Sequence, residues 1–180
     1  MTGRFIAVVG PSGVGKDSVM EAMALAEPRL QLARRVITRP SDAGGETFSE
    51  TSVKQFKTMR DAGAFALWWP AHGLYYGIPV EVDTALAAGH DVLANLSRGV
   101  LEHASTRFES FATIALTASP DVLRARLIAR GRENGPEITR RLHRADYALP
   151  DGINALQLDN SGPLDDTVAR ALDLLYPVSA

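Results

Sequence analysis

The chain has 180 residues, enough for one compact α/β domain with a small insertion and too few for two ordinary domains. At 46% hydrophobic and 22% charged it has the composition of a soluble globular protein, which excludes a disordered tail and a membrane-spanning bundle. The net charge of -2 argues against a basic surface for nucleic acid, and the absence of Cys excludes disulfides, thiolate metal sites and cysteine nucleophiles.

The four His (His72, His90, His103, His143) have no ligand-like spacing, so no metal held by imidazoles is expected. The apolar run Phe5 to Val9 is too short for a signal peptide or a membrane span and is flanked by Arg4 and Gly10-Pro11, so a cytoplasmic protein is expected. Of the 19 basic residues 16 are Arg and three are Lys (Lys16, Lys54, Lys57). Codon bias accounts for such a count, and so does phosphate handling, because a guanidinium makes bidentate bonds to phosphate oxygens that an ammonium cannot.

In chain order, Phe5 to Val9 reads as a buried strand, Lys16 to Glu27 as a helix with apolar Val19, Met20, Met23 and Leu25, and Leu32 to Thr38 as a second strand. Arg39-Pro40 and Gly44-Gly45 open a small inserted lobe. It contains a helix over Val53 to Ala62 and short strands Phe65 to Trp69 and Leu74 to Ile78, joined by a turn at Pro70 to Gly73. A helix over Val80 to Ala88 is closed by Gly89, and strand Asp91 to Leu96, helix Ser97 to Arg107 and strand Phe111 to Thr117 follow. Ser119-Pro120-Asp121 caps a helix that lasts to about Arg130, with Pro at its first position. Gly131 to Pro136 reads as a charged loop, Glu137 to Tyr147 as helix, Ala155 to Leu158 as strand and Leu164 to Leu175 as an amphipathic helix. The alternation predicts an α/β fold with a parallel sheet covered by helices on both faces.

Gly10-Pro11-Ser12-Gly13-Val14-Gly15-Lys16 matches the G-x-x-x-x-G-K core of a phosphate-binding loop and lies between a predicted strand and a predicted helix, as that motif requires. Its backbone amides would turn onto phosphate oxygens, the helix N-terminus would add its dipole, and Lys16 a point charge, which implies a nucleoside triphosphate and no more; ATP is the co-substrate expected from the kinase reading that follows. The next residue is Asp17 where Ser or Thr usually sits on Mg²⁺, with Ser18 after it. Either Ser18 takes the ion, or the Asp17 carboxylate approaches it directly or through water, or Asp17 is simply a first-turn acid favoured by the helix dipole.

Thr38-Arg39-Pro40, Gly45-Glu46 and Gly73-Leu74-Tyr75-Tyr76-Gly77, in a lobe placed after the second strand, resemble guanylate kinase. The resemblance implies a P-loop NTPase fold with a core at residues 1–38 and 90–180, an acceptor-binding lobe at 39–89 and a lid at 130–140. It assigns Arg39 and Tyr76 to the acceptor phosphate. The differences are as informative. The second phosphate-binding Arg is missing from Pro40-Ser41-Asp42-Ala43-Gly44, Leu67 stands where a Glu reads guanine, and Ala94-Asn95-Leu96 replaces an Asp-x-Asp. Without those carboxylates the base N–H donors are left unpaired, so GMP is a poor acceptor.

Leu93-Ala94-Asn95-Leu96-Ser97-Arg98-Gly99, Gly15-Lys16-Asp17-Ser18 and Ile37-Thr38-Arg39-Pro40 with Gly44-Gly45-Glu46 resemble the ribose 1,5-bisphosphate phosphokinase family, over roughly Phe5 to Asn160. The resemblance implies a guanylate-kinase relative of phosphonate breakdown that makes 5-phosphoribosyl 1-diphosphate and acts on a small sugar phosphate; the sequence leaves a homodimer open without specifying the oligomeric state. Glu46, Asn95, Ser97 and Arg98 join Arg39 and Tyr76 as acceptor-binding candidates.

Between Arg124 and Arg144 there are seven Arg against Glu133 and Glu137, a net of +5. In relatives of this fold such a block is the lid, and by motif Arg130 and Arg141 are the catalytic candidates, with Arg132 and Arg140 next. Asn160 resembles the residue on the adenine side of the nucleotide. The alternatives are another small-molecule or nucleotide kinase, a non-catalytic module of the same shape, and an ATP-gated switch. Intact Gly15-Lys16 and the arginine block disfavour the module, and the lack of a strand-end Asp disfavours the switch.

Overall fold

The computed structural model describes residues 2–40, 48–131, 135–143 and 148–177, without the side chains of Glu137, Arg141 and His143. In chain order its elements are β1 (Phe5–Val9), α1 (Lys16–Ala26), β2 (Leu30–Leu32), β3 (Val36–Ile37), β4 (Ser49–Glu50), α2 (Val53–Asp61), β5 (Phe65–Ala71), β6 (Leu74–Pro79) and α3 (Val82–Ala87). They continue with β7 (Asp91–Asn95), a single 3-10 turn (Arg98–Val100), α4 (Leu101–Arg107), β8 (Phe111–Thr117), α5 (Pro120–Arg130), α6 (Gly135–His143), β9 (Leu156–Asp159) and α7 (Leu164–Leu175).

Five strands form a sheet in the order β2-β7-β1-β8-β9, with every neighbouring pair parallel. The central strand β1 is buried along its whole length, so its sequence is a continuous apolar run instead of an alternating one. Successive side chains still divide between the two faces. Phe5, Ala7 and Val9 pack with α4 residues Leu101 and Ala104 and with lobe residues Leu67, Trp69 and Ile78, the Phe5 and Phe108 rings stacking at 3.9 Å. Ile6 and Val8 pack with Val19, Met20 and Met23 of α1, Leu123 of α5 and Val168, Ala171 and Leu175 of α7. Burial of each of the larger of these side chains (Val, Leu, Ile, Met, Phe) stabilises the fold by about 1.5–3 kcal/mol. Both faces are thus covered, as the alternation of elements implies.

A second, four-stranded sheet in the order β4-β3-β6-β5 makes the inserted lobe. Its β5–β6 hairpin turns at His72-Gly73, both with positive φ (53° and 75°), the pair required by a two-residue turn whose twist matches the strands. The expected strand Leu32 to Thr38 is in fact two. Leu30–Leu32 belongs to the core sheet and Val36–Ile37 to the lobe, with Ala33-Arg34-Arg35 crossing between them. The lobe's sheet therefore begins at Val36, and α3 packs on β7.

The helix expected over Ser97 to Arg107 begins as a 3-10 turn, and α6 starts at Gly135, inside the expected loop. Glu46 and Arg132 lie outside the described residues. No described helix is long and apolar enough to cross a membrane.

At the amino-terminal edge of the core sheet, Asp91 accepts from the Arg4 amide (2.6 Å), from Arg4 Nη2 (2.8 Å) and from the Tyr176 hydroxyl (2.7 Å). Burial pushes the Asp91 carboxyl up, but the hydrogen bonds from Arg4 and Tyr176 outweigh it and hold the group below the usual carboxylate range. Burial, then the hydrogen bond to Asp91, raises the Tyr176 phenol well above its ordinary value.

Candidate active site

Ligands of open parallel sheets bind beyond the carboxyl ends of the strands. Here the glycine-rich loop leaves the end of β1 and crosses the end of β8, where a Cβ on Gly10 would come within 2.6 Å of the Leu116 carbonyl oxygen. Gly15, the residue before α1, has φ +94°, and a Cβ there would stand 2.8 Å from Asn160 Nδ2. Lys16 Nζ donates to the carbonyls of Gly10 (2.9 Å) and Pro11 (3.2 Å), which keeps the ammonium folded over the loop. Glycine freedom, helix N-terminus and ammonium thus converge at one strand end, the requirement for gripping a polyphosphate.

The loop is braced from β9, α5 and α7. Asn160 is 3% exposed; its amide donates to the Val14 carbonyl (2.7 Å) and its Oδ1 accepts from the Thr167 hydroxyl (2.8 Å). Arg126 of α5 donates to the same Val14 carbonyl (3.2 Å) and to the Asn160 carbonyl (2.8 Å). The start of α5 is tied to the same turn, since Ser119 N–H donates to Ser161 Oγ (2.9 Å). The Asn160 side chain is therefore engaged beneath the loop, where it holds the backbone. Sequence reasoning passes over Arg126, although its spacing of four from Arg130 puts both on one face of α5.

Arg130 is exposed in the last turn of α5, which Gly131 ends in the left-handed conformation (φ +66°). Arg140 and Arg141 lie on α6, which packs against α5; the Arg141 side chain is outside the description.

On the acceptor side, register and side chains bring the candidates from two sheets together. Thr38 exchanges bonds with Tyr75 (Thr38 N–H to Tyr75 O, 3.1 Å; Tyr75 N–H to Thr38 Oγ1, 2.9 Å), which sets Arg39 beside the hairpin, its guanidinium 4.7 Å from the Phe48 ring centre. Tyr76 stacks on Trp69 at 5.4 Å, and the Trp69 indole N–H donates to Ser97 Oγ at 2.9 Å. Arg35, 5.2 Å from the Tyr76 ring centre, donates to the Asn95 carbonyl (3.0 Å), and Asn95 Nδ2 donates to Asp17 Oδ1 (3.0 Å). Through Arg35, Tyr76 is thus linked to Asn95 and to Asp17, which follows the phosphate loop, and through Trp69 to Ser97. Arg98 follows in the 3-10 turn. Trp69 and Arg35 are the members that sequence reasoning misses.

Leu67, Ala94 and Leu96 are 2%, 0% and 3% exposed, so these three positions, where guanylate kinase is expected to carry base-reading carboxylates, belong to the apolar core. Residues 41–44, which lack the second Arg, lie outside the described residues.

Among curated relatives, the ribose 1,5-bisphosphate phosphokinase PhnN of Ruegeria sp. (strain TM1040) is 50% identical over 170 residues, covering 94% of this chain and 90% of that protein. The protein of the same name from Pseudomonas paraeruginosa (strain DSM 24068 / PA7) is 50% identical over 96% of this chain and 94% of its own. The chain belongs to the ribose 1,5-bisphosphate phosphokinase family. No protein-family model matches it.

Solved structures bear out the fold expected of this phosphokinase. A guanylate kinase from Anaplasma phagocytophilum superposes with a TM-score of 0.68 at 16% identity, covering 97% of this chain and 85% of its own. A gluconokinase from Sinorhizobium meliloti 1021 gives 0.53 at 19% identity, covering 96% and 95%. At such identities these likenesses speak for shape alone, which is the guanylate-kinase-like α/β arrangement.

Proposed function

We propose that this phosphokinase transfers the γ-phosphoryl group of ATP to the 1-phosphate of ribose 1,5-bisphosphate, giving 5-phospho-α-D-ribose 1-diphosphate and ADP, as a cytoplasmic step of phosphonate breakdown. The observation that carries the reading is the 50% identity, over 94% of the chain, to a protein named for that substrate. The intact phosphate loop and the apolar character of Leu67, Ala94 and Leu96, which offer no acceptor to a guanine, support it.

In the reaction an oxygen of the 1-phosphate attacks the γ-phosphorus, a new P–O bond forms, and the bond to the β-phosphate bridging oxygen breaks as ADP leaves. The attacking phosphate is already anionic near neutral pH, so no general base is needed and the protein acts by positioning and charge. Loop amides and Lys16 hold the β- and γ-phosphates. Arg130 and Arg141, with Arg132 and Arg140, neutralise charge on the moving group, an effect on the order of 10³-fold for an arginine of this kind.

Arg39, Tyr76, Asn95, Ser97, Arg98 and Glu46 hold the sugar phosphate. Asn160 and Arg126 serve the nucleotide by fixing the loop.

The oxygen donors of Asp17 and Ser18 suit Mg²⁺, which takes few protein ligands and completes its shell with phosphates and water. Bound there, the ion would offset phosphate charge. Asp17, held by Asn95, is directed to the strand end, whereas Ser18 is exposed.

The test is incubation of the pure protein with Mg-ATP and ribose 1,5-bisphosphate, ribose 5-phosphate or GMP, with products resolved by phosphorus NMR. A diphosphate is expected from the bisphosphate. Faster turnover of GMP, or no diphosphate, overturns the assignment.

A further inference from the structure

The acceptor candidates Tyr76, in the lobe's sheet, and Ser97, just beyond β7 of the core sheet, are both held by one side chain that carries no charge and is 6% exposed, Trp69. Trp69 and Tyr76 are directly opposite in the β5–β6 register, and their rings are nearly coplanar in tilt (11°), which fixes the direction in which the phenol projects. On the other side the indole reaches Ser97, two residues beyond β7, at 2.9 Å.

The chemistry of that bond is directional. An indole N–H can only donate, so Ser97 Oγ must accept from it, and the Ser97 hydroxyl proton is turned away from the indole. With one of its two lone pairs so engaged, the serine keeps its proton free to donate outward. Donors are what phosphate and sugar oxygens require. Arg35 adds a second tie across the same junction, from the Tyr76 ring to the Asn95 carbonyl.

We propose that Trp69 is a positioning residue for the acceptor: it orients Ser97 as a hydrogen-bond donor and holds the Tyr76 phenol beside it, so that both serve the sugar phosphate. The proposal rests on the reading of the reaction given above.

The experiment compares Trp69→Phe, which keeps a stacking ring and deletes the N–H, with Ser97→Ala, Ser97→Thr and the double variant Trp69→Phe/Ser97→Ala. Loss of one such bond is expected to raise the acceptor KM about three- to tenfold. Ser97→Thr, which keeps the hydroxyl, should restore most of it, while the ATP KM stays within about twofold. The double variant should be no worse than about twofold beyond either single one, because both remove the same bond. Acceptor KM unchanged in folded variants, ATP KM rising in step with it, or effects that multiply in the double variant overturns the proposal.

A second readout needs neither turnover nor a folded Trp69 variant. The chain has two Trp, so Trp68→Phe leaves Trp69 as the sole indole. Its emission should shift on titration with ribose 1,5-bisphosphate or ribose 5-phosphate and not with inorganic sulfate. No shift at saturation counts against the proposal. A shift without diphosphate formation by the wild-type chain overturns the reaction and leaves the positioning role of Trp69 standing.

Discussion

Asn160→Ala separates a residue that touches nucleotide from one that holds the loop which touches it. The substitution deletes the bond to the Val14 carbonyl (2.7 Å) and the bond from Thr167 (2.8 Å), each contributing about 1 kcal/mol net. It also leaves the buried Thr167 hydroxyl with only the long 3.5 Å contacts to the Asp159 and Pro163 carbonyls among those described, at a further cost of about 1 kcal/mol. The sum, about 3 kcal/mol, corresponds in a chain of this size to a fall in Tm of about 6–12 °C.

Val14 keeps the Arg126 guanidinium at 3.2 Å, so the loop loses one of its two described braces. The ATP KM should rise about tenfold, with the acceptor KM unchanged. Asn160→Asp should do no better than Ala, because it sets a carboxylate oxygen against the Val14 carbonyl where a donor is needed. Calorimetry and steady-state kinetics on the same preparations make the assay. A Tm within about 2 °C of wild type together with a large rise in ATP KM would show that the Asn160 amide acts on nucleotide directly. An unchanged Tm and an unchanged ATP KM would refute the bracing altogether.

Lys16→Ala should lower turnover by at least about 10³-fold with little change in Tm, since its described bonds are to carbonyls of the loop itself; single-turnover assays check this. Arg39→Ala should raise the acceptor KM by about 10–100-fold, the range for a hydrogen bond to a charged group, without moving the ATP KM; an unchanged acceptor KM removes Arg39 from the site. The folded Asp91 carboxyl titrates below its unfolded value, so its contribution is present above the ordinary carboxylate pKa and is lost as pH falls through the lower, folded one. The gap in Tm between wild type and Asp91→Asn should therefore close on acidification below about pH 4, and a gap constant with pH would refute that linkage.

The elements most readable in the sequence are those in which one pattern has one cause. Phe111–Thr117 and Leu164–Leu175 are found at their expected bounds, because a β-rich run or an amphipathic period ends there at turn or cap residues. The stretch Leu32 to Thr38 misleads because apolar, strand-favouring residues lie on both sides of Ala33-Arg34-Arg35, and periodicity carries no information about which sheet a strand joins. Asn160 is expected on the nucleotide side by resemblance, but its burial under Val14 depends on residues 146 positions away. Trp69 enters the sequence reading only as the end of a short strand. Its partners, Tyr76 across a hairpin and Ser97 just beyond a strand of the other sheet, become visible only when both sheets are assembled. The standing of Glu46 and Arg132 rests on the motif alone.

The split of that second strand also bears on how such enzymes diversify. The chain leaves the core at the carboxyl end of β2, builds the lobe, and returns through α3 to the foot of β7, the strand that pairs with β2. The lobe is thus an elaboration of one crossover. Its departure point is on the rim where the phosphate loop opens, while the hydrogen bonding of β2 to β7 is the same whatever lies between them. A change of acceptor can accordingly be confined to one enlarged connection and the few residues that clamp it, leaving the nucleotide half under separate selection.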